Sequence, residues 1–126
     1  MNELTREQIL GMDKRQLAEA TAVHVMKWKT IAKPNTGEYV YMKSFDEQGR
    51  IDEYIEVELW NPAEDIAAAW EVLEKFKLCQ VTMSETGFSH SDLKYRVIVG
   101  KNQNVAYADT APEAICKAAL LAVLGL

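Results

Sequence analysis

The stretch Ala108–Leu124, "ADTAPEAICKAALLAVL", decides how the rest of the chain is read. Asp109 and Thr110 are capping residue types, and Pro112 follows close behind, where a helix tolerates a missing N–H. Beyond that first turn the segment carries one charged side chain, Lys117. Ile115, Cys116, Ala118, Ala119, Leu120, Leu121, Ala122, Val123 and Leu124 occupy the whole circumference of the predicted helix. A helix that is apolar all round must be covered all round. One sheet covers one side. The other side calls for the remaining helices or a second subunit, and the alanines at 118, 119 and 122 permit close approach. A symmetric homo-oligomer, a dimer or a multiple of dimers, is the expected solution.

Working outward, the same kind of reading divides the chain of 126 residues into alternating blocks of helix and strand. Thr5 with Gln8 and Asp13 with Gln16 are two capping boxes, which predict a short turn over 5–11 and a helix over 14–26. "WKTIAK" and "EYVYMKSF" read as strands around the turn "PNTG", and "IDEYIEVELW" alternates Ile55, Val57 and Leu59 against Glu56, Glu58 and Trp60. "NPAEDIAAAWEVLEKFK" predicts a helix from Asn61 to about Lys77, with Asn61 as cap and Pro62 at the first helical position. "LCQVTMS", "LKYRVIVG" and "NVAYAD" are three further strands before the final helix. The order is α, three β, α, three β, α in a single domain over 1–126. That predicts an α+β fold: an α/β/α sandwich with antiparallel sheet and flanking helices.

Composition narrows function. With 48% hydrophobic and 26% charged residues the chain is globular in type. A net charge of −5 argues against a general grip on nucleic acid, which needs clustered Lys and Arg. No apolar run nears the roughly 20 residues of a membrane span. Cys79 and Cys116 are far apart and read as reduced core thiols of a cytosolic protein. Neither they nor His24 and His90 show metal-ligand spacing, and no cofactor motif occurs. The acidic set Asp52, Glu53, Glu56 and Glu58 reads as a solvated strand face, not a cation site.

Three segments carry a family resemblance. "HVMKWK" (24–29), "DIAAAWEVLEKF" (65–76) and "YADTAPEAICKAALLAVL" (107–124) resemble the phage ABA-sandwich domain proteins. The hairpin region 30–59 matches nothing in that pattern. The resemblance implies a phage origin and a sandwich fold. In plan and size the family also looks similar to phage anti-defence proteins of the Thoeris-blocking type, oligomeric sponges that hold a cyclic ADP-ribose-like immune signal away from its effector.

Catalysis is not expected. His24 sits on a helix among Val23, Val25 and Met26. His90 lies beside Ser89, Ser91 and Asp92, but sequence neighbours point in different directions and cannot assemble a triad. No phosphate loop, GxSxG or HExxH occurs. Groups for binding are easier to find. The final helix offers its N-terminus at Thr110, the preceding loop supplies Lys101, Asn102 and Asn104, Arg96 lies on a neighbouring strand, and Lys117 lies further along the helix. Phe88, Tyr95, Tyr107 and Trp60 are candidate stacking rings. The expected ligand site is therefore Phe88, Arg96, Lys101, Asn102, Asn104, Thr110 and Lys117. Its expected occupant is a small nucleotide-derived signalling molecule, sequestered in the host cytoplasm without being degraded. The alternative is a phage accessory protein that binds a host or phage protein through Tyr39, Tyr41, Phe45, Tyr54 and Trp60. A small enzyme acting on a nucleotide is a third reading.

Overall fold

A computed structural model describes residues 4–32, 37, 39–45, 47–48, 51–84 and 93–126. The predicted "PNTG" and "DEQGR" turns, Phe88 and His90 lie wholly or partly outside them. Helix α1 spans Arg6–Leu10 and α2 spans Lys14–His24. Both predicted capping boxes form. The Gln8 N–H donates to Thr5 Oγ1 (3.2 Å) and the Thr5 N–H to Gln8 Oε1 (2.9 Å). The Gln16 N–H donates to Asp13 Oδ1 (2.8 Å) and the Asp13 N–H to Gln16 Oε1 (3.1 Å). Lys27 then takes a left-handed conformation (φ 62°), and the Trp28 N–H returns to the Ala22 carbonyl at 3.0 Å. That reversal ends α2 and launches the strands.

The strands form two antiparallel sheets of three, each a simple meander. The first comprises β1 (Lys29–Ala32), β2 (Tyr39–Phe45) and β3 (Ile51–Glu56). The second comprises β4 (Cys79–Met83), β5 (Tyr95–Val99) and β6 (Asn104–Ala108). Helix α3, Ile66–Leu73, connects them, and α4, Ala111–Leu124, closes the chain. The α+β sandwich read from the sequence is the observed architecture.

Two predicted boundaries move, each for a visible reason. The strand from Ile51 stops at Glu56, and Val57–Leu59 form a 3-10 turn. The turn rotates the chain, so strict alternation fails at its end: Leu59 is 70% exposed and Trp60 only 3%. The helix predicted from Asn61 begins after Asp65 instead. The Asn61 carbonyl accepts the N–H groups of Glu64 (3.1 Å) and Asp65 (2.8 Å), closing a separate turn around buried Pro62 and Ala63. Asp65 is extended (φ −101°, ψ 117°), and its Oδ1 accepts the Ala67 N–H at 3.0 Å. At the other end the N–H groups of Lys75 and Phe76 reach back only three residues, to Val72 and Leu73. The helix tightens and stops there, short of Lys77.

Helix α4 is the hub. Thr110 caps it, and Gly125 in the left-handed region (φ 70°) ends it. It packs on β5 and β6 and also touches α1, α2 and α3. Ala114, Ile115, Cys116, Ala118, Ala119, Leu120 and Leu121 are completely buried within one chain. Three helices and a sheet of the same chain supply this cover, while Lys117, Ala122, Val123 and Leu124 stay half-buried. Thr21 of α2 reaches the same layer, its hydroxyl donating to the Leu17 carbonyl at 2.6 Å and bonding the Cys116 thiol.

The cysteines separate as well. Cys116 is buried as expected, but Cys79 is exposed on β4, the strand at one edge of its sheet. Burial pushes the Cys116 thiol up to about 12, which suppresses the thiolate that reacts with electrophiles. Native protein treated with a thiol-specific chromogenic disulfide at pH 8 is expected to titrate one thiol quickly, and the second only in denaturant. Two fast thiols would mean that α4 is not packed as described.

Candidate functional site

Among the described residues, those singled out from sequence do not form one cluster. Lys101 and Asn102 are exposed in the turn between β5 and β6, and Asn104 opens β6 opposite Val99. Thr110 stands at the far end of that strand, and five extended residues span roughly 17 Å. A Cβ on Gly100 would lie 3.8 Å from Ala122 Cβ, so the turn abuts the C-terminal end of α4, not its capped N-terminus. The Thr110 hydroxyl accepts the Glu113 N–H at 3.4 Å, as an ordinary cap. Lys117 is two turns into α4, its side chain 11% exposed and its Nζ 4.0 Å from Glu113 Oε2. Arg96 pairs with Tyr107 across β5 and β6 and alternates with buried Val97, which faces α4; Arg96 therefore stands on the opposite face of the sheet. Phe88 lies outside the described residues.

A cavity forms elsewhere, between α2 and the first sheet. Three rings from three separate segments cluster beside it, Trp28 after α2, Tyr41 in β2 and Trp60 after the 3-10 turn, and the last two line it. The Trp28 and Trp60 centroids are 4.6 Å apart at 60°, and Tyr41 lies 5.9 Å from each. These separations and tilts fall in the range where aromatic quadrupoles attract. Lys43 Nζ stands 5.1 Å from the Trp28 ring centroid, a cation–π contact on the same cluster. Sequence placed Tyr41 and Trp60 on an exposed contact surface; packing puts both in the core.

The cavity measures about 790 Å³, within the size range of small-molecule sites. Arg15, Ala18 and Glu19 line it from α2, Thr30 from β1, and Tyr39 and Tyr41 from β2. Glu56, Val57, Trp60 and Asn61 complete it. Two of these lining residues hold polar atoms that are buried and, among the described residues, have no hydrogen-bond partner: Trp60 Nε1 and Asn61 Oδ1. Leaving such a group unmet costs about 1–3 kcal/mol. One is a donor and the other an acceptor, carried by two lining residues adjacent in sequence.

The electrostatics are mixed. Burial, reinforced by Glu19 and opposed by Arg15, pushes the Tyr41 phenol up to about 12. The phenol is therefore neutral at physiological pH and offers an O–H, not an anion. Among the described residues the charged lining is one guanidinium, Arg15, with two carboxylates, Glu19 and Glu56. Sequence reasoning missed Arg15 and Glu19 because nothing local marks them, and it read Asn61 only as a helix cap. Tyr39 and Tyr41 did carry a signal: period-two spacing on one strand places both on the same side of the sheet.

The fold and cavity define the class: a small α+β sandwich with an aromatic-walled recess between its second helix and first sheet. The chain belongs to the phage ABA sandwich domain family, which matches residues 19–120, from the middle of α2 into α4. No curated protein matches it. Among solved structures, a phage protein from Bacillus cereus is similar along its entire length, with 25% identity over 98% of this chain and 100% of that one, and a TM-score of 0.62. Among the described residues no helix is long and apolar enough to cross a membrane.

Proposed function

We propose that this phage-family protein is an anti-defence binding protein. It takes up a small nucleotide-derived signal, of the cyclic ADP-ribose or cyclic nucleotide kind, in the host cytoplasm and withholds it from its effector without degrading it. The observation that carries this reading is the aromatic cavity with its unmet donor and acceptor on Trp60 and Asn61. Exposed Tyr39 supplies a stacking surface, which is base-tolerant because every base has a π-face, and buried Tyr41 and Trp60 form an apolar wall. An unmet donor and acceptor supply orientation, since they gain most from a partner that arrives already shaped to them. Sequestration then requires only affinity and abundance: protein in excess over both the signal and its dissociation constant lowers the free signal by mass action.

The test is to incubate the protein with a panel of cyclic nucleotides and cyclic ADP-ribose isomers, remove unbound material, release by heat and identify what emerges by mass. Intact ligand in stoichiometric amount is the expected result. A cleaved product would replace sequestration with catalysis. Retention of no compound would overturn the small-molecule reading and favour a protein partner, for which Tyr39, 61% exposed on the first sheet, offers a contact.

A further inference from the structure

Resting on the reading that the cavity holds a nucleotide-derived molecule, we infer that it recognises the nucleoside part of that molecule and leaves the phosphates outside. The donor–acceptor pair carries the first half of this inference. Trp60 Nε1–H can donate to a ring nitrogen or carbonyl, and Asn61 Oδ1 can accept from the neighbouring amino or imino N–H. Every nucleobase presents such an acceptor–donor edge, whereas a phosphate offers acceptors only and would leave Asn61 Oδ1 unmet. The neutral Tyr41 hydroxyl can serve either role.

The charge of the lining carries the second half. Sites built for phosphate gather Lys and Arg or backbone N–H groups at a helix start. Here, among the described lining residues, Arg15 stands with Glu19, and the two act in opposite senses on Tyr41, so a phosphate drawn inside would meet a carboxylate beside the guanidinium. The N-terminus of α2, nearest to Arg15 in sequence, is already occupied by the Asp13 carboxylate accepting the Gln16 N–H. Both features favour an uncharged heterocycle within and phosphate at the solvent side.

The experiment measures the affinity of the intact protein for adenosine, guanosine, cytidine and uridine, each beside its monophosphate and diphosphate, at low and high sodium chloride. At least one nucleoside is expected to bind. Each added phosphate is expected to weaken it roughly threefold to tenfold at low salt, the scale of unit charges several ångströms apart in a partly solvated site, and high salt should narrow that gap. In Glu19→Gln the gap should narrow at low salt too. Phosphates that tighten binding, with affinity falling as salt rises, would overturn this inference while leaving the cavity a nucleotide site. Failure of every nucleoside and every nucleotide would overturn the proposed function along with it.

Discussion

Leu120→Ala is expected to lower stability by about 3 kcal/mol and the melting temperature by roughly 12 °C. Leu120 is fully buried on a helix that packs on β5 and β6 and meets three other helices, so few neighbours are free to relax into the space left behind. Removal of a buried leucine side chain from a rigid site costs about 2–5 kcal/mol, and the upper part of that range belongs to sites that cannot collapse. Against the 5–15 kcal/mol total of a typical domain, this is a large fraction. Leu59→Ala is the matched control. Leu59 is 70% exposed at the end of the 3-10 turn, and its truncation is expected to change stability by less than about 0.5 kcal/mol. Thermal melts by circular dichroism decide both. A loss below about 1 kcal/mol for Leu120→Ala would mean that α4 is not the centre of the core. The same melts, run over a hundredfold range of protein concentration, test whether one chain suffices to cover α4. If a second copy were needed, the melting temperature would climb with concentration by mass action.

The helix that opened the reading thus shows where sequence informs and where it falls silent. Its apolar circumference fixes that it is surrounded, but not by what, because Ala118, Ala119 and Leu120 look the same whether their neighbours belong to one chain or two. The caps at Thr5, Asp13 and Thr110 were legible because capping is a contact across three residues. Asn61 carried an equally strong local signature and formed a turn instead. The difference came from burial of Pro62 and Ala63, a tertiary effect no local window contains. The cavity was hidden for the same reason. Trp28, Tyr41 and Trp60 are 13 and 19 residues apart in sequence and meet only because a left-handed Lys27 and a 3-10 turn bring them together. The described members of the sequence-predicted site show the opposite case: they are close in the chain, but one strand length separates Lys101 from Thr110 and opposite sheet faces separate Arg96 from α4.

Trp60→Phe is expected to weaken binding of whichever panel compound the wild type retains by roughly 5- to 30-fold, the effect of losing one buried hydrogen bond worth about 1–2 kcal/mol. The substitution keeps an aromatic ring against Trp28 and Tyr41 and deletes the indole N–H. Its effect on stability is the sum of two opposed contributions. In the free protein the unmet N–H is a burden of about 1–3 kcal/mol, and its removal stabilises. The smaller ring leaves space beside its neighbours, which destabilises by a similar amount. The melting temperature of the free protein should therefore move little, while affinity falls. This divergence separates a binding role from a packing role. A residue needed only for the core would lose stability first and affinity only as a consequence. Asn61→Ala is a less clean probe, because the Asn61 amide also donates to Glu64 Oε2 at 3.1 Å and holds the turn before α3. Trp60→Phe with unchanged affinity, measured by calorimetry on protein shown to be folded, would remove the indole N–H from the site and with it the main reason for placing the ligand in this cavity.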